Sequence, residues 1–261
     1  MTAVPPAAAA GATPFDGELA LVTGAGRGIG RAVAVQLAAA GARVALLARS
    51  FAQLDETAKM IKDQGGVAGV FPADAGDPGQ LASAAAQIAA DLGPVSVLIN
   101  NAAVVAPLGP TVSVPMAEWV AAFAVNVTAV FQLTTSLLPP MLARGWGRIV
   151  NVSSGVAASP GPMTGMNAYA TTKAALEAHS LNLAGELAGS GVTVNIFRPG
   201  TVDTAMQSWI RAQPPEDIGV PLHQRFQGFY ETGALITPEQ SARALMSHLT
   251  GDETGQVWKA A

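Results

Sequence analysis

The chain contains no cysteine and only three histidines among its 261 residues. The lack of cysteine excludes disulfides, thiolate nucleophiles, cysteine-bound zinc and iron–sulfur clusters. With so few histidines, a histidine-only metal site is not expected either.

Charged residues are also scarce. They make up 12% of the chain, with 14 basic against 18 acidic side chains and a net charge of −4 at pH 7. A mildly acidic chain without basic runs is poorly suited to bind a phosphate backbone, so we expect no nucleic-acid partner. Half of the residues are hydrophobic, which is enough apolar material for one well-filled core.

The sequence shows no clear targeting or membrane-spanning segment. Residues 1–14 are rich in alanine and proline, lack the basic start of a secretory signal, and are expected to form a disordered tail. An uncharged run from Trp119 to Ala143 is long enough to cross a bilayer. It contains polar residues such as Asn126, and Pro139-Pro140 is expected to end it, which favours a buried helix. We therefore expect a soluble, cytoplasmic protein without a membrane partner.

Short apolar runs alternate with longer helical stretches along the chain. The runs are continuously apolar, which predicts strands buried on both faces. Strand–helix alternation predicts parallel strands joined by crossover helices. The sequence therefore predicts one α/β domain over residues 15–261, a doubly wound parallel sheet of about seven strands with helices on both faces. Residues 202–236 break the alternation and are expected to form a long irregular lid.

A glycine-rich segment joins the first predicted strand to the first helix. It reads Thr23-Gly-Ala-Gly-Arg-Gly-Ile-Gly30 and follows a TGxxxGxG pattern. Glycines allow a tight turn, a close approach of the backbone to a pyrophosphate, and access to the free N–H groups of the helix N-terminus. An ordinary glycine-rich turn is the alternative, but the flanking strand and helix favour a dinucleotide site. The residues assigned to it are Gly24, Arg27, Gly28, Ile29 and Gly30.

The end of the second strand indicates which dinucleotide binds. An acidic residue there would bind the ribose 2′-hydroxyl of NAD, whereas this strand ends in Ala48-Arg49-Ser50. Arg49, together with Arg27, offers two guanidinium groups to a dianionic 2′-phosphate. The sequence therefore predicts NADP(H) as the cofactor, the alternative being that both arginines are merely solvated.

Tyr169 and Lys173 lie four residues apart at the start of a predicted helix and share one face. A tyrosine with an ordinary pKa of about 10 is a poor acid–base catalyst at neutral pH, and a nearby ammonium group is expected to lower that pKa. Ser154 follows the preceding strand and offers a hydroxyl that can polarise a carbonyl group. Ser153 is the alternative serine.

Together these residues resemble the motifs of the short-chain dehydrogenase/reductase family in its single-domain form. The resemblance extends over residues 17–258 and implies a Rossmann-like fold and hydride transfer between a nicotinamide cofactor and a carbonyl or alcohol. The residues that carry it, in chain order, are the glycine turn, Asp74, Asn100-Asn-Ala-Ala103, Asn126, Ser154, Tyr169, Lys173 and Arg198-Pro-Gly200.

The resemblance implies a role for each matching residue. Tyr169 would be the proton donor in reduction, Ser154 would orient the carbonyl, and Lys173 would bind the nicotinamide ribose. Asn126 would hold a water molecule that connects Lys173 to solvent. The remaining cofactor contacts that it implies are Asp74 at the adenine, Asn100 and Ala102 along the cofactor, and Pro199, Gly200 and Thr204 around the nicotinamide.

Two features depart from the family pattern. Ala103 replaces a usual glycine, and a methyl group at this position is tolerated only if the residue has a negative φ. The segment between Ser154 and Tyr169 is longer than usual, so the loop above the active site is expected to be larger.

The sequence leaves more than one function open. We expect NADPH-dependent reduction of a ketone or aldehyde, with a 3-oxoacyl-carrier-protein reductase and a non-catalytic NADPH-binding protein as alternatives. The lid has only Arg211 and Arg225 as basic residues for docking an acidic carrier, which weakens the first alternative. The complete set of Asn126, Ser154, Tyr169 and Lys173 argues against the second.

The substrate and the assembly can also be anticipated. The lid and the loop before it contain side chains that favour an apolar small-molecule substrate, although packing of the lid on the body would explain them too. These side chains are Met163, Met166, Met206, Trp209, Phe226, Phe229 and Tyr230. The long uncharged helix is too apolar for a solvated surface, and the resemblance implies that it pairs across a two-fold axis. We therefore expect a homo-tetramer or homo-dimer.

Overall fold

Seven strands form one parallel sheet in the computed structural model, which describes residues 13–260. The strands are β1 (Leu19–Thr23), β2 (Arg43–Ala48), β3 (Val67–Pro72), β4 (Val97–Asn100), β5 (Gly147–Val152), β6 (Val192–Arg198) and β7 (Val257–Lys259). Their order across the sheet is β3-β2-β1-β4-β5-β6-β7. The predicted doubly wound parallel sheet is confirmed. The strand order changes direction between β1 and β4. Most of the predicted tail lies outside the described residues.

Helices cover both faces of this sheet. Within the described residues they are α1 (Gly28–Ala39), α2 (Phe51–Asp63), α3 (Pro78–Leu92), α4 (Met116–Phe123), α5 (Ala129–Arg144), α6 (Gly155–Ala158), α7 (Asn167–Glu186), α8 (Ala205–Arg211), α9 (Pro215–Ile218), α10 (Val220–Glu231) and α11 (Pro238–Leu249). Side chains of α1, α2 and α11 fill the core on one face. Side chains of α3, α5 and α7 fill the core on the other. The central strands are therefore buried on both sides, as their continuous apolar sequences predict, whereas β3 at the edge is partly exposed.

The uncharged run forms α4, a π-helical turn at Ala124–Thr128, and α5. The prediction that Pro139-Pro140 ends the helix is wrong, because α5 continues through both prolines to Arg144. Leu137 and Met141 are buried in the core on either side of the prolines, and this packing offsets the hydrogen bonds that proline cannot donate. By length and composition the span 116–144 would suffice to cross a membrane. Its buried face is part of the core of this α/β domain.

The prediction of an irregular lid over residues 202–236 is also wrong. The segment folds into α8, α9 and α10. Pro215 and Pro221 occupy the first turns of α9 and α10, where a missing N–H removes no helical hydrogen bond. Ile210, Leu222 and Phe226 from these helices form a third apolar cluster with residues near the end of the sheet. The lid is therefore a packed helical layer.

Candidate active site

A cavity of about 790 Å³ lies at the carboxyl ends of the strands. Its walls contain residues that end or follow each of the seven strands, from the glycine turn after β1 to the end of β7. In a doubly wound sheet this is the edge at which ligands bind. The cavity is therefore the candidate active site.

The glycine turn has the geometry that a pyrophosphate requires. Gly24 and Gly28 have positive φ values of 66° and 54°, which side chains rarely tolerate. At Gly30, a Cβ atom would overlap the carbonyl oxygen of Gly24. No side chain between residues 13 and 260 caps the start of α1, and no acidic residue lies in its first turn. The first N–H groups of α1 therefore remain free for phosphate, and the site fits a dinucleotide.

The glycine turn is supported by two side chains that the sequence analysis did not single out. Arg31 Nε donates to the Gly26 carbonyl oxygen and to Thr57 Oγ1, both at 3.0 Å. Thr57 Oγ1 donates to the Ala25 carbonyl oxygen at 3.0 Å. These bonds fasten the turn to α2. The only sequence feature that pointed to these contacts was a basic residue, Arg31, one turn into the first helix.

Two arginines and one carboxylate line the cavity beside β2 and β3. Arg27 and Arg49 are both exposed, and neither forms an ion pair with any residue between 13 and 260. Asp74 also lines this end, and its Oδ1 accepts from the Gly76 N–H at 2.8 Å. The three residues lie where the sequence analysis expects the adenosine half of the cofactor.

At the end of β4, the structure differs from the prediction in which asparagine lines the cavity. Asn100 is buried away from the cavity, because it lies in register with Asn151 on β5 and donates to its Oδ1 at 2.8 Å. The next residue, Asn101, lines the cavity instead. Its Nδ2 donates to the Thr23 carbonyl oxygen at 2.9 Å and joins the end of β1 to that of β4.

The residues after Asn101 follow the prediction. Ala102 and Ala103 both line the cavity. Ala103 has a negative φ, since no residue other than glycine between 13 and 260 has a positive one. The alanine that departs from the family pattern is therefore accommodated without backbone strain.

Asn126 lies in the π-helical turn and is buried outside the cavity lining. Its Oδ1 accepts from the Val104 N–H at 2.9 Å, and its Nδ2 donates to the Val104 carbonyl oxygen at 2.8 Å and to Thr172 Oγ1 at 3.0 Å. The side chain thus clamps the loop after β4 to α7. The proton relay expected through Asn126 stays a prediction.

Tyr169, Lys173 and Ser154 meet in the cavity between the glycine turn and the lid. Tyr169 and Lys173 lie on successive turns of α7, and the Lys173 Nζ is 5.7 Å from the centre of the tyrosine ring. Lys173 Nζ donates to the Val152 carbonyl oxygen at 2.7 Å. Ser154 begins α6 as its N-cap, with its Oγ accepting from the Val156 N–H at 3.3 Å.

Burial controls the protonation of this pair. It raises the pKa of Tyr169 to about 12, although a hydrogen bond with Ser154 opposes the shift. It lowers the pKa of Lys173 to about 8, although the charge of Glu177 opposes that shift. The expected lowering of the tyrosine pKa is therefore not found in this structure, because desolvation of the phenolate outweighs the hydrogen bond with Ser154. Tyr169 keeps its proton at neutral pH, the form that a proton donor requires.

The structure also separates the two candidate serines. The Ser153 hydroxyl donates to Glu177 Oε1 at 2.7 Å and is buried. Ser154 is less buried, and its hydroxyl lies within hydrogen-bond reach of Tyr169 instead of a carboxylate. Ser154 can therefore donate to a substrate oxygen beside Tyr169, whereas Ser153 would first have to give up its bond to the Glu177 carboxylate.

Pro199, Gly200 and Thr204 line the cavity beyond β6, and their contact with a nicotinamide stays a prediction. Ser241 Oγ donates to the Pro199 carbonyl oxygen at 2.9 Å and anchors this loop to α11. Thr204 caps α8, with its Oγ1 accepting from the Gln207 N–H at 3.5 Å. The loop around the expected nicotinamide position is therefore held from both sides.

The lid contributes an apolar wall. Among the aromatic and methionine residues expected there, five line the cavity: Met163, Met166, Met206, Phe226 and Phe229. Trp209 and Tyr230 do not line it, because both are on the outer side of the lid, where Tyr230 lies 4.6 Å from the Arg211 guanidinium. Gln207 is the polar exception among the cavity-lining residues of α8 and α10, and its Oε1 is buried without a partner between residues 13 and 260.

Comparison with known proteins agrees with this geometry. The family model for short chain dehydrogenases matches residues 18–215. The chain is 38% identical to the 2,3-dihydro-2,3-dihydroxybenzoate dehydrogenase of Bacillus subtilis, over 91% of this chain and 90% of that protein. It is 36% identical to the 3-oxoacyl-acyl-carrier-protein reductase of Escherichia coli, over 74% of this chain and 76% of that protein.

Solved structures show the same similarity. A single-substitution variant of the actinorhodin polyketide ketoreductase, crystallised with NADPH, superimposes with a TM-score of 0.84 and 30% identity. The superposition covers 96% of this chain and 97% of that structure. With the glycine turn, the tyrosine–lysine pair and the sheet order in place, the chain belongs to the short-chain dehydrogenase family and is an oxidoreductase.

Proposed function

We propose that this enzyme reduces the carbonyl group of an uncharged, largely apolar ketone or aldehyde with NADPH. The observation that carries the proposal is the position of Tyr169 and Ser154 between the glycine turn and the apolar lid wall of one cavity. Similarity to reductases and to an NADPH-bound ketoreductase supports it.

NADPH would supply the hydride when bound. The protein residues would orient and protonate the carbonyl oxygen of the substrate. Ser154 donates a hydrogen bond to that oxygen and orients it. Tyr169, protonated because its pKa is raised by burial, gives its proton to the oxygen as negative charge develops there. Lys173, held by the Val152 carbonyl, binds the cofactor ribose and stabilises the phenolate that remains.

The preference for NADPH rests on charge. Four structures similar to this chain contain NADP or NADPH and another contains NAD⁺, so similarity alone does not decide. Beside β2 the chain offers Arg27 and Arg49, and neither has an ion-pair partner among the described residues. No carboxylate stands at the end of β2 to repel a 2′-phosphate.

The substrate class follows from how charge is distributed in the cavity. Its charged lining residues end or follow β1, β2, β3, β6 or β7 or lie on α7, and none comes from α8, α10 or the loop before α7. A substrate carboxylate or phosphate against the lid would lose its hydration without gaining a counter-ion. A neutral substrate avoids this penalty.

The alternative of a carrier-protein reductase is supported by the relative from Escherichia coli. Such an enzyme needs a basic surface near the cavity entrance. Here Arg211 contacts the ring of Tyr230, and Arg225 belongs to a lid that also carries Glu216, Asp217 and Glu231. The lid is therefore less suited to an acidic carrier than to a free ketone.

The assembly is part of the proposal. Met116, Val120 and Phe131, on α4 and α5, are more than half exposed, as is usual for a surface covered by another subunit. We expect a cytoplasmic homo-tetramer, or a homo-dimer, that pairs through this surface. Light scattering at micromolar concentration should give a multiple of the 26.3 kDa chain mass, and a monomer mass would refute this part.

The experiment for the proposed function is a substrate panel. Ketones, aldehydes and acyl thioesters are each supplied with NADPH or NADH, and cofactor oxidation is followed by absorbance. We expect neutral ketones or aldehydes with NADPH to give the highest kcat/KM. Preference for acyl thioesters would favour the carrier-protein alternative. Tight NADPH binding without turnover of any carbonyl would favour the non-catalytic alternative.

A further inference from the structure

α7 presents three functional side chains, one turn apart, to the end of β5. Tyr169, Lys173 and Glu177 follow one another at intervals of four residues and share a helix face. Lys173 binds the Val152 carbonyl oxygen at 2.7 Å, and Glu177 accepts from the Ser153 hydroxyl at 2.7 Å. Consecutive residues of the strand end are thus fixed to consecutive turns of the helix.

The same carboxylate also holds β6. Arg198 Nε donates to Glu177 Oε1 at 2.9 Å, and its Nη2 donates to Oε2 at 2.7 Å. Both side chains are mostly buried, with 16% and 13% exposed for Arg198 and Glu177. Arg198 ends β6 and immediately precedes Pro199 of the nicotinamide loop. Glu177 therefore joins α7 to the two strand ends that carry Ser154 and Pro199.

The charge of Glu177 matters because Lys173 is buried. Lys173 shares α7 with Tyr169 and Glu177, and Arg198 at the end of β6 pairs with Glu177. The other charged residues that line the same cavity as Lys173 are Arg27, Arg49, Asp74 and Lys259. Glu177 is the acid one helix turn from Lys173, and its charge acts on the Lys173 pKa. It opposes the lowering of the Lys173 pKa by burial, while Arg198 neutralises part of its field. Burial has the largest effect on the Lys173 pKa, and the negative charge of Glu177 acts against it.

We propose that Glu177 is a positioning residue of the active site, which aligns the ends of β5 and β6 on α7 and keeps Lys173 in its ammonium form. Arg198 pairs with Glu177 and weakens the effect of the Glu177 charge on Lys173. An ion pair with a purely structural role would lower stability when either partner is lost, without moving the protonation of Lys173 in opposite directions.

The test titrates Lys173 directly. The chain has only four lysines, Lys59, Lys62, Lys173 and Lys259, so labelling lysine with ¹³C at Cε resolves each by NMR, and Lys173→Met assigns the signal. Glu177→Gln keeps the side-chain shape and removes the charge, and Arg198→Gln removes the opposing charge. Glu186→Gln, an exposed site on the same helix, is the matched control.

We expect the Lys173 midpoint to fall by about one pH unit in Glu177→Gln and to rise in Arg198→Gln. The double variant should lie between the two, and the Glu186→Gln control should match the wild type. If both single variants shift the midpoint in the same direction, or neither shifts it, the proposal is wrong. Should Glu177→Gln fail to fold, the upward shift in Arg198→Gln still tests it.

The kinetic consequence rests on the proposed function. Because the ammonium form of Lys173 is lost as pH rises past its pKa of about 8, wild-type carbonyl reduction should decline on the alkaline side. The decline should begin at lower pH in Glu177→Gln, and Glu177→Asp, which keeps the charge, should restore it. If no carbonyl is reduced while the NMR midpoints move as expected, the proposed function fails and the role of Glu177 stands.

Discussion

The two ends of the cavity are lined by different kinds of residue. At the β1–β3 end, glycines, backbone N–H groups and the side chains of Arg27, Arg49 and Asp74 form the wall. At the lid end, the wall consists of methionine and phenylalanine side chains on short helices and the loop before α7. The first end is fixed by backbone geometry, whereas the second can change its shape through side-chain substitution alone. A dinucleotide suits the first end and a variable apolar substrate suits the second.

Substitutions of Tyr169 and Lys173, which lie where the two ends meet, should have the largest effect on turnover. In the proposed reaction Tyr169 is the proton donor. Replacing it by phenylalanine removes the hydroxyl group and leaves the backbone around the cofactor unchanged. We expect turnover to fall at least about 100-fold, while NADPH affinity, measured by fluorescence titration, stays close to wild type. Lys173→Ala should damage both, because in the proposed function Lys173 also binds the ribose. More than a tenth of wild-type turnover in Tyr169→Phe would mean that the proton donor is misassigned.

The cofactor preference comes next in size. Wild-type kcat/KM should favour NADPH over NADH at least about tenfold, because charge-assisted bonds to the 2′-phosphate contribute about 1.5–3 kcal/mol each. Ala48→Asp combined with Arg49→Ala should reverse the preference, since the new carboxylate repels the phosphate and accepts from the 2′-hydroxyl. Equal use of both cofactors by the wild type, or an unchanged ratio without Arg49, would contradict the assignment.

Gly30→Ala probes the backbone geometry of the cofactor end. The added methyl group would overlap the Gly24 carbonyl oxygen, so the turn must shift. We expect NADPH affinity to fall about tenfold and the thermal midpoint to drop. Gly185→Ala is the control, because a methyl group there meets no atom within 4 Å. An equal loss of NADPH affinity in both variants would show that the effect is not specific to the turn.

The lid end should respond to charge instead. Met206→Lys places an ammonium group in the apolar wall at nearly constant side-chain length. We expect the ratio of kcat/KM for a carboxylated ketone over its neutral counterpart to rise about tenfold, because the acid gains a counter-ion. Trp209→Lys, on the outer side of α8, should leave the ratio unchanged. A rise of the same size in the control would place the effect outside the cavity.

The difference between the two ends also explains what the sequence could predict. The glycine turn and the spacing of Tyr169 and Lys173 follow from backbone and helix geometry, which local sequence specifies. Pro139-Pro140 within α5 and the prolines that begin α9 and α10 misled the prediction. At those places, tertiary packing and the position of proline in the first turn decide whether it breaks a helix.

Contacts between distant segments were the other limit. The choice of Asn101 over Asn100 depends on the register of β4 with β5, which the sequence does not contain. The role of Glu177 depends on the pairing of α7 with β5 and β6. Its spacing from Lys173 was visible in the sequence, but an acid four residues after a lysine is common on helices. Only the three-dimensional structure shows which groups it joins.

The most direct test of the account measures NADPH oxidation with matched ketones. Each neutral ketone, such as 4-phenylbutan-2-one, is paired with the same molecule carrying a carboxylate on its ring. The account predicts NADPH-dependent reduction in which the neutral member of each pair has the higher kcat/KM, by at least about tenfold, since the lid wall offers no counter-ion to the acid. Equal or faster reduction of the carboxylated members would contradict it.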